Sequence, residues 1–322
     1  MKNRIDIRKL VPFITLVVIL LLFGILTKGK MFTPFNLNSL LNQVVVLLVL
    51  CSGAIFVVAL GCSDLSVGVN AGLSAVVGDV VFTATGSVLL MLLTAFAIGI
   101  GLGALNGIIN AKFKVPSFMV TLAMLIGVRG IINYIQSFTG LTYAGTFIKA
   151  IDKVCIKLPF LLLVLAFSWY FLERTSFGRD IKAIGENEVL AVSVGKPVIS
   201  LKIICFMISG LTAAIAGMFI IARSGGTTTS MGTMFEMRSL IAIYVGGILV
   251  KGGSTASTYK MIIGCLVFVI IENGLKLMGI ASSEYSELIE GILLMVILFI
   301  TIRTEGINLR SDKKKLAESK TE

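Results

Sequence analysis

Apolar runs long enough to cross a bilayer recur from position 10 to position 302, and they leave almost no chain for anything else. A hydrocarbon core about 30 Å thick needs about 20 predominantly apolar residues per helix. Segments 40–60 and 288–302 lack the polar face that a soluble amphipathic helix turns toward water. Hydrophobic residues make up 57% of the 322 positions and the mean hydropathy is +1.01, which leaves no room for a separate soluble domain. The expected fold is an all-α integral membrane protein of about ten transmembrane helices, some broken or re-entrant, with both termini cytoplasmic. The spans are read at 10–28, 39–61, 66–85, 87–111, 117–136, 154–172, 199–222, 238–250, 258–279 and 284–302. Residues 1–9 then form a cytoplasmic N-terminus, 10–302 the transmembrane domain with a cytoplasmic loop at 173–200, and 303–322 a cytoplasmic tail.

The formal charge of +11 does not point to nucleic acid, because the cationic excess sits in short loops and tails. With this threading, Lys and Arg favour the side of the termini by more than two to one, as the positive-inside rule expects of the cytoplasmic face. The first apolar run follows Lys2, Arg4, Arg8 and Lys9, but it is too long for a cleaved leader, so it reads as a retained span. Cys51, Cys62, Cys155, Cys205 and Cys265 lie in apolar surroundings without C-x-x-C spacing and read as small packing residues. Histidine is absent, which removes the commonest proton relay and general base. No nucleophile–base pair or metal-ligand cluster stands out, so neither a catalytic residue nor a metal site is assigned.

Function then has to lie in the interruptions. Two apolar runs are broken: Gly61-Cys62-Ser63-Asp64-Leu65-Ser66-Val67-Gly68, and 224–232 before the short eighth span. Polar backbone at membrane depth persists only where it is buried in protein or lines a wet cavity. Asp64, Ser66, Asn70, Asn106, Thr121 and Asn133 are candidate translocation-path residues; bonds to neighbouring helices, or a turn and cap at Asp64 and Ser66, are the alternative. Gly99, Gly103 and Gly107 share one face of the fourth span and predict close approach of another helix.

Charges inside apolar runs cost several kcal/mol unless paired or hydrated. Glu272 and Lys276 are spaced i, i+4 in the favourable orientation and are expected to neutralise one another, with a proton or cation site as the alternative. Arg129 cannot shed its proton and reads as a structural brace, with a substrate contact as the alternative. In the one long polar loop, Asn187 is placed to cap a short helix through Glu188 and Val189 to Ser193, which Gly195 and Pro197 end. Val189, Leu190 and Val192 give that helix an apolar stripe suited to a partner's groove or to a membrane surface.

Several of these segments resemble, in order, the membrane permeases of sugar-type ABC importers of the ribose and galactose group. They are Asp64-Leu65-Ser66-Val67-Gly68, segment 103–122, Val128-Arg129-Gly130, segments 175–188 and 209–217, the pairs Gly246-Gly247 and Gly252-Gly253, and segment 272–280. The resemblance runs from about residue 40 to 303. It implies a bacterial plasma-membrane permease that forms the path for a monosaccharide or related small polar solute. It implies a core of two permeases, a second copy or a homologue, each docked on a cytoplasmic ABC ATPase and fed by an extracellular or periplasmic sugar-binding protein. It also implies that Gly178, Arg179, Gly185, Glu186, Asn187, Glu188, Leu190, Ala191 and Gly195 belong to the ATPase-coupling loop. No cofactor is expected, since ATP would bind the partner: the chain has no G-x-x-x-x-G-K-[ST] loop. An ion- or proton-coupled secondary transporter is the alternative. Two departures stand out. Gly61-Cys62-Ser63-Asp64 replaces the usual G-G-I-D, and Glu272-Asn273-Gly274-Leu275-Lys276 replaces the usual N-N-G-L-N.

Overall fold

The computed structural model describes residues 7–139 and 152–279, together with Leu288, Gly291, Ile292, Met295 and Phe299, all five helical. Residues 1–6, Lys149, most of the expected span 284–302 and the tail 303–322 lie outside the described residues. The described chain is all-helical: α1 (Ile7–Leu26), α2 (Pro34–Ala59), α3 (Val67–Thr85), α4 (Val88–Lys112), α5 (Ser117–Thr139), α6 (Val154–Trp169), α7 (Ser176–Glu186), α8 (Glu188–Ser193), α9 (Val198–Ser224), α10 (Phe235–Val245) and α11 (Thr258–Leu277). Among these residues six helices are long and apolar enough to cross a membrane: α2 to α5, α6 with its terminal π turn, and α9. α11 has spanning length but carries Lys260, Glu272 and Lys276.

α2 and α9 form the centre: both are buried along most of their length, whereas α4, equally apolar, is buried on one face only. Residues 45–59 of α2 are buried without interruption. α9 packs against α4, α2 and α3, and α11 packs against α10, α2 and α1. The glycine stripe of α4 meets α9 as its spacing predicts. A Cβ on Gly99 would lie 2.5 Å from the Gly210 carbonyl oxygen, and one on Gly103 would lie 2.2 Å from that of Phe206. These helices touch backbone to backbone.

The start of α9 and the end of α2 lie at the same end of the molecule, the one that carries α7 and α8. α2 and α9 therefore run antiparallel. Each is followed by a broken connection, a helix, and a further helix carrying an Asn-Gly pair near its C-terminus: Asn106-Gly107 on α4 and Asn273-Gly274 on α11. The two halves are arranged as an inverted pair, a device that places broken helices at the centre of a transporter.

Two local expectations are corrected. The eighth span, read at 238–250, is an eleven-residue helix that ends at Val245, because Gly246 and Gly247 terminate it. Cys155 is exposed, unlike the four buried cysteines. Lys157, inside the expected span 154–172, is buried in the first turn of α6, where it pairs with Asp152 and donates to Asn42 Oδ1 at 2.7 Å.

Candidate functional site

The two broken segments flagged in the sequence meet each other. A Cβ on Gly232 would lie 2.0 Å from the Gly68 carbonyl oxygen, and one on Gly72 would lie 2.7 Å from that of Met231. The connection after α9 thus folds back onto the first turns of α3. Arg129 on α5 donates from Nη1 to the Met231 carbonyl at 2.9 Å and to that of Thr229 at 3.3 Å. It satisfies backbone acceptors that an irregular segment within apolar surroundings leaves without helical partners.

Beside this crossing lies a buried polar network. Asp64 Oδ1 accepts from the Ser66 amide at 2.9 Å and the Ser66 hydroxyl at 2.6 Å, and its Oδ2 accepts from Ser209 Oγ at 2.7 Å. Asn106 Nδ2 donates to Ser66 Oγ at 2.8 Å, while its Oδ1 is buried without a donor. Three elements are pinned together: the end of the α2–α3 break, α4 and α9. Ser209 lies about 16 Å along α9 from its first residue, at 1.5 Å per residue. Asn70, one turn into α3, donates to the Gly99 carbonyl at 3.2 Å and accepts from Ser74. Thr121 donates to the Ser117 carbonyl at 2.9 Å. So Asp64, Ser66 and Asn106 come together, Asn70 and Thr121 lie near them on α3 and α5, and Asn133 is exposed on another part of α5. Ser209 opens the segment 209–217 that resembles the permeases, but nothing in the sequence indicated its bond to Asp64.

At the other end, Glu272 Oε1 lies 2.5 Å from Lys276 Nζ and 3.3 Å from Arg238 Nη2. The i, i+4 spacing indicated the first contact; Arg238 comes from α10, and nothing in the local sequence indicated it. Residues of α2, α9, α10 and α11 line a cavity of about 550 Å³ at this end.

The polar loop folds into two short helices held to the span ends by charge and by close backbone contact. Asn187 caps α8 by accepting the Leu190 amide at 3.0 Å. Gly195, at φ +75°, reverses the chain after it, with the Lys196 amide bonded to the Ala191 carbonyl. Val189, Leu190 and Val192 are 77%, 61% and 57% exposed, while Ala191 is buried beneath them. Glu188 holds Lys202 of α9 with both oxygens at 2.8 Å, and Asp180 holds Lys196 at 2.7 Å. Lys182 reaches Glu173 at 3.0 Å, and Glu173 accepts the first amide of α11. Gly178 is buried against the π turn that ends α6, where a Cβ would lie 2.2 Å from the Leu172 carbonyl oxygen; Arg179 beside it is exposed.

One joint had no sequence signal beyond its glycines. A Cβ on Gly185 would lie 2.2 Å from the Ala59 carbonyl oxygen and 2.7 Å from the Gly253 nitrogen, and one on Gly252 would lie 1.9 Å from the Val58 carbonyl oxygen. The end of α2, the end of α7 and the loop before α11 therefore share a single contact. Glu186 Oε1 closes it by accepting from the Ser254 amide at 2.8 Å and hydroxyl at 2.5 Å. Those donors hold the Glu186 carboxyl below its ordinary value, with Lys251 adding to the effect and desolvation opposing it. Among the described residues no group of His, Cys, Asp and Glu could hold a metal ion.

Comparison with known proteins gives a consistent picture. The profile of the family described as branched-chain amino acid transport system / permease component matches residues 36–298. The ribose import permease protein of Bacillus subtilis is 31% identical over 297 residues, 90% of this chain and 91% of its own length. The fructose import permease protein of Rhizobium meliloti is 29% identical, covering 89% and 83%. The galactose/methyl galactoside import permease protein of Salmonella typhimurium is 29% identical, covering 76% and 80%.

Proposed function

The chain belongs to the permease-component family of branched-chain amino acid type transport systems, and we propose that it forms the translocation path of an ABC importer for a monosaccharide or related small polar solute. It is a multi-pass membrane protein and a transport component rather than an enzyme. Sugar, rather than amino acid, is favoured by the relatives, which are named for the import of ribose, fructose and galactose. We infer that both termini and the α7–α8 end face the bacterial cytoplasm, a reading supported by the lysine and arginine excess that the sequence threading puts on that side.

Energy arrives from a separate ABC ATPase that binds ATP and grips α8. The observation that carries this is an apolar stripe exposed on a helix whose every other attachment is fixed. Val189, Leu190 and Val192 project outward, while Glu188–Lys202, Asp180–Lys196 and the Glu186–Ser254 joint tie its base to α9, α7 and the loop before α11. A stripe on a floppy loop would absorb a partner's motion; this one transmits it to α2 and α9. A second permease copy or homologue completes the core, and an external binding protein delivers solute to the opposite end. The ATPase must bind the two states of the pair with different affinity, since equal affinity would shift nothing. Gly178, Arg179, Gly185, Glu186, Asn187, Glu188, Leu190, Ala191 and Gly195 form the coupling loop. Asp64, Ser66, Asn70, Asn106 and Thr121 border the path, Asn133 lies apart from them on an exposed part of α5, and Arg129 and the Glu272–Lys276 pair hold its walls.

Co-purification with the ATPase subunit tests the docking. Leu190→Asp is expected to leave the permease folded and monodisperse while the ATPase no longer elutes with it. Unchanged co-elution would reject α8 as the docking element.

A further inference from the structure

Glu272 and Lys276, the i, i+4 ion pair of α11, both sit in the wall of the 550 Å³ cavity. We propose that this cavity is a solute-loading site at the external mouth, and that it takes a monosaccharide-sized solute carrying an anionic group, a carboxylate or a phosphate. The proposal rests on the permease reading and names the class of solute for it.

Position comes first. α2 enters the cavity with its first turns, α9 and α11 with their last, so the cavity opens at the end opposite α7 and α8. That end receives solute in an importer. Size agrees, since small-molecule pockets occupy about 300–1,000 Å³.

Charge comes second. Arg223, Lys276 and Glu272 are among the described residues that line the cavity, with Arg238 beside them. Lys276 and Arg238 converge on the same oxygen of that carboxylate, and Arg223 makes no ion pair with any described residue. A guanidinium at the rim of a partly apolar cavity is a strong, fork-shaped donor for a carboxylate or phosphate.

Hydroxyl recognition comes third. Gln43 lines the same cavity, and its Oε1 is buried with no donor, its Nε2 being bonded to Ser39. Buried acceptors in native proteins generally have a partner, and a ring hydroxyl is a donor of the right kind. Phe235, over which Arg238 lies at 5.6 Å, supplies an apolar floor for a sugar face.

The test is equilibrium binding to the full-length permease in phosphatidylcholine nanodiscs. The probes are D-galacturonate, D-gluconate and ribose 5-phosphate, each beside neutral D-galactose and D-ribose. At least one acid is expected to bind tenfold or more tightly than its neutral counterpart. Arg223→Gln, an exposed rim substitution expected to fold normally, should remove that preference. Absence of binding by all three acids, or equal binding of acids and neutral sugars, overturns the proposal. A preference that survives Arg223→Gln also overturns it, and if phosphatidylglycerol nanodiscs abolish the preference, the site belongs to a lipid headgroup instead. ATPase stimulation in the assembled transporter tests the permease reading separately. A normal response there, beside no acid preference, would reject this site and leave that reading standing.

Discussion

Glu186 shows how one side chain fixes a joint between three segments. Its carboxylate accepts two bonds from Ser254, and those bonds favour the ionised form. Its folded pKa is therefore below the ordinary 4.5, so its contribution is fully present above that value and is lost as pH falls through the folded value. Amide-exchange protection at Ser254, corrected for intrinsic rates, should stay constant from pH 8 to 5 and fall only in more acidic buffer. Loss of protection between pH 7 and 6 would show that another group holds the joint. Asn187 acts locally. Replacing it with Ala removes the cap of α8 at a cost of about 1 kcal/mol of helix stability. Exchange should rise through residues 188–193, with little change in the melting of the whole protein. Glu272 is a third case. Glu272→Gln leaves Arg238 and Lys276 without their shared carboxylate, at a cost of about 1–3 kcal/mol once the exposure of Lys276 is discounted. The folded yield should drop, and adding Lys276→Gln should recover part of it.

Among elements, the α4–α9 contact is the most demanding. Gly103 sits against the Phe206 carbonyl with no space for a Cβ, and backbone cannot yield as a flexible side chain can. Gly103→Leu should force the two helices apart, destabilising the protein by about 1–3 kcal/mol or more. Thermal melting by size exclusion should show it, with Gly101→Leu, which meets nothing, as the control. That stripe was legible in the sequence because three small residues at i, i+4, i+8 have one geometric reading. The boundaries of α2 to α5 and α9 were legible for a similar reason, since apolar runs bounded by polar residues have little freedom in a bilayer. The cap of α8 followed from Asn187 and Gly195. The bonding of Asp64, Ser66 and Asn106 was legible only as an alternative, because the same residue types suit a wet path and a dry interhelical bond. The meeting of Gly68 with Gly232, the Arg238–Glu272 contact and the Gly185–Gly253 joint were not legible. Each pairs residues far apart in the chain, and none alters a local pattern. The inverted arrangement of the two halves was equally hidden, since little beyond an Asn-Gly pair repeats between them.

At the scale of the molecule, the described helices form a tightly packed centre crossed by two irregular segments, with a rigidly mounted apolar helix at one end and a charged cavity at the other. Such a centre conducts solute only by switching between alternative packings, and the fixed mounting of α8 is where a partner would drive the switch. Uptake by proteoliposomes decides the matter most directly, with the permease reconstituted beside its ATPase and binding protein and the accumulation of the solute carried by that binding protein followed with and without ATP. Accumulation against a gradient should require ATP and both companions, and Leu190→Asp should reduce it to background while leaving the permease folded. Concentrative uptake by the permease alone, driven by an ion or proton gradient, would contradict the account.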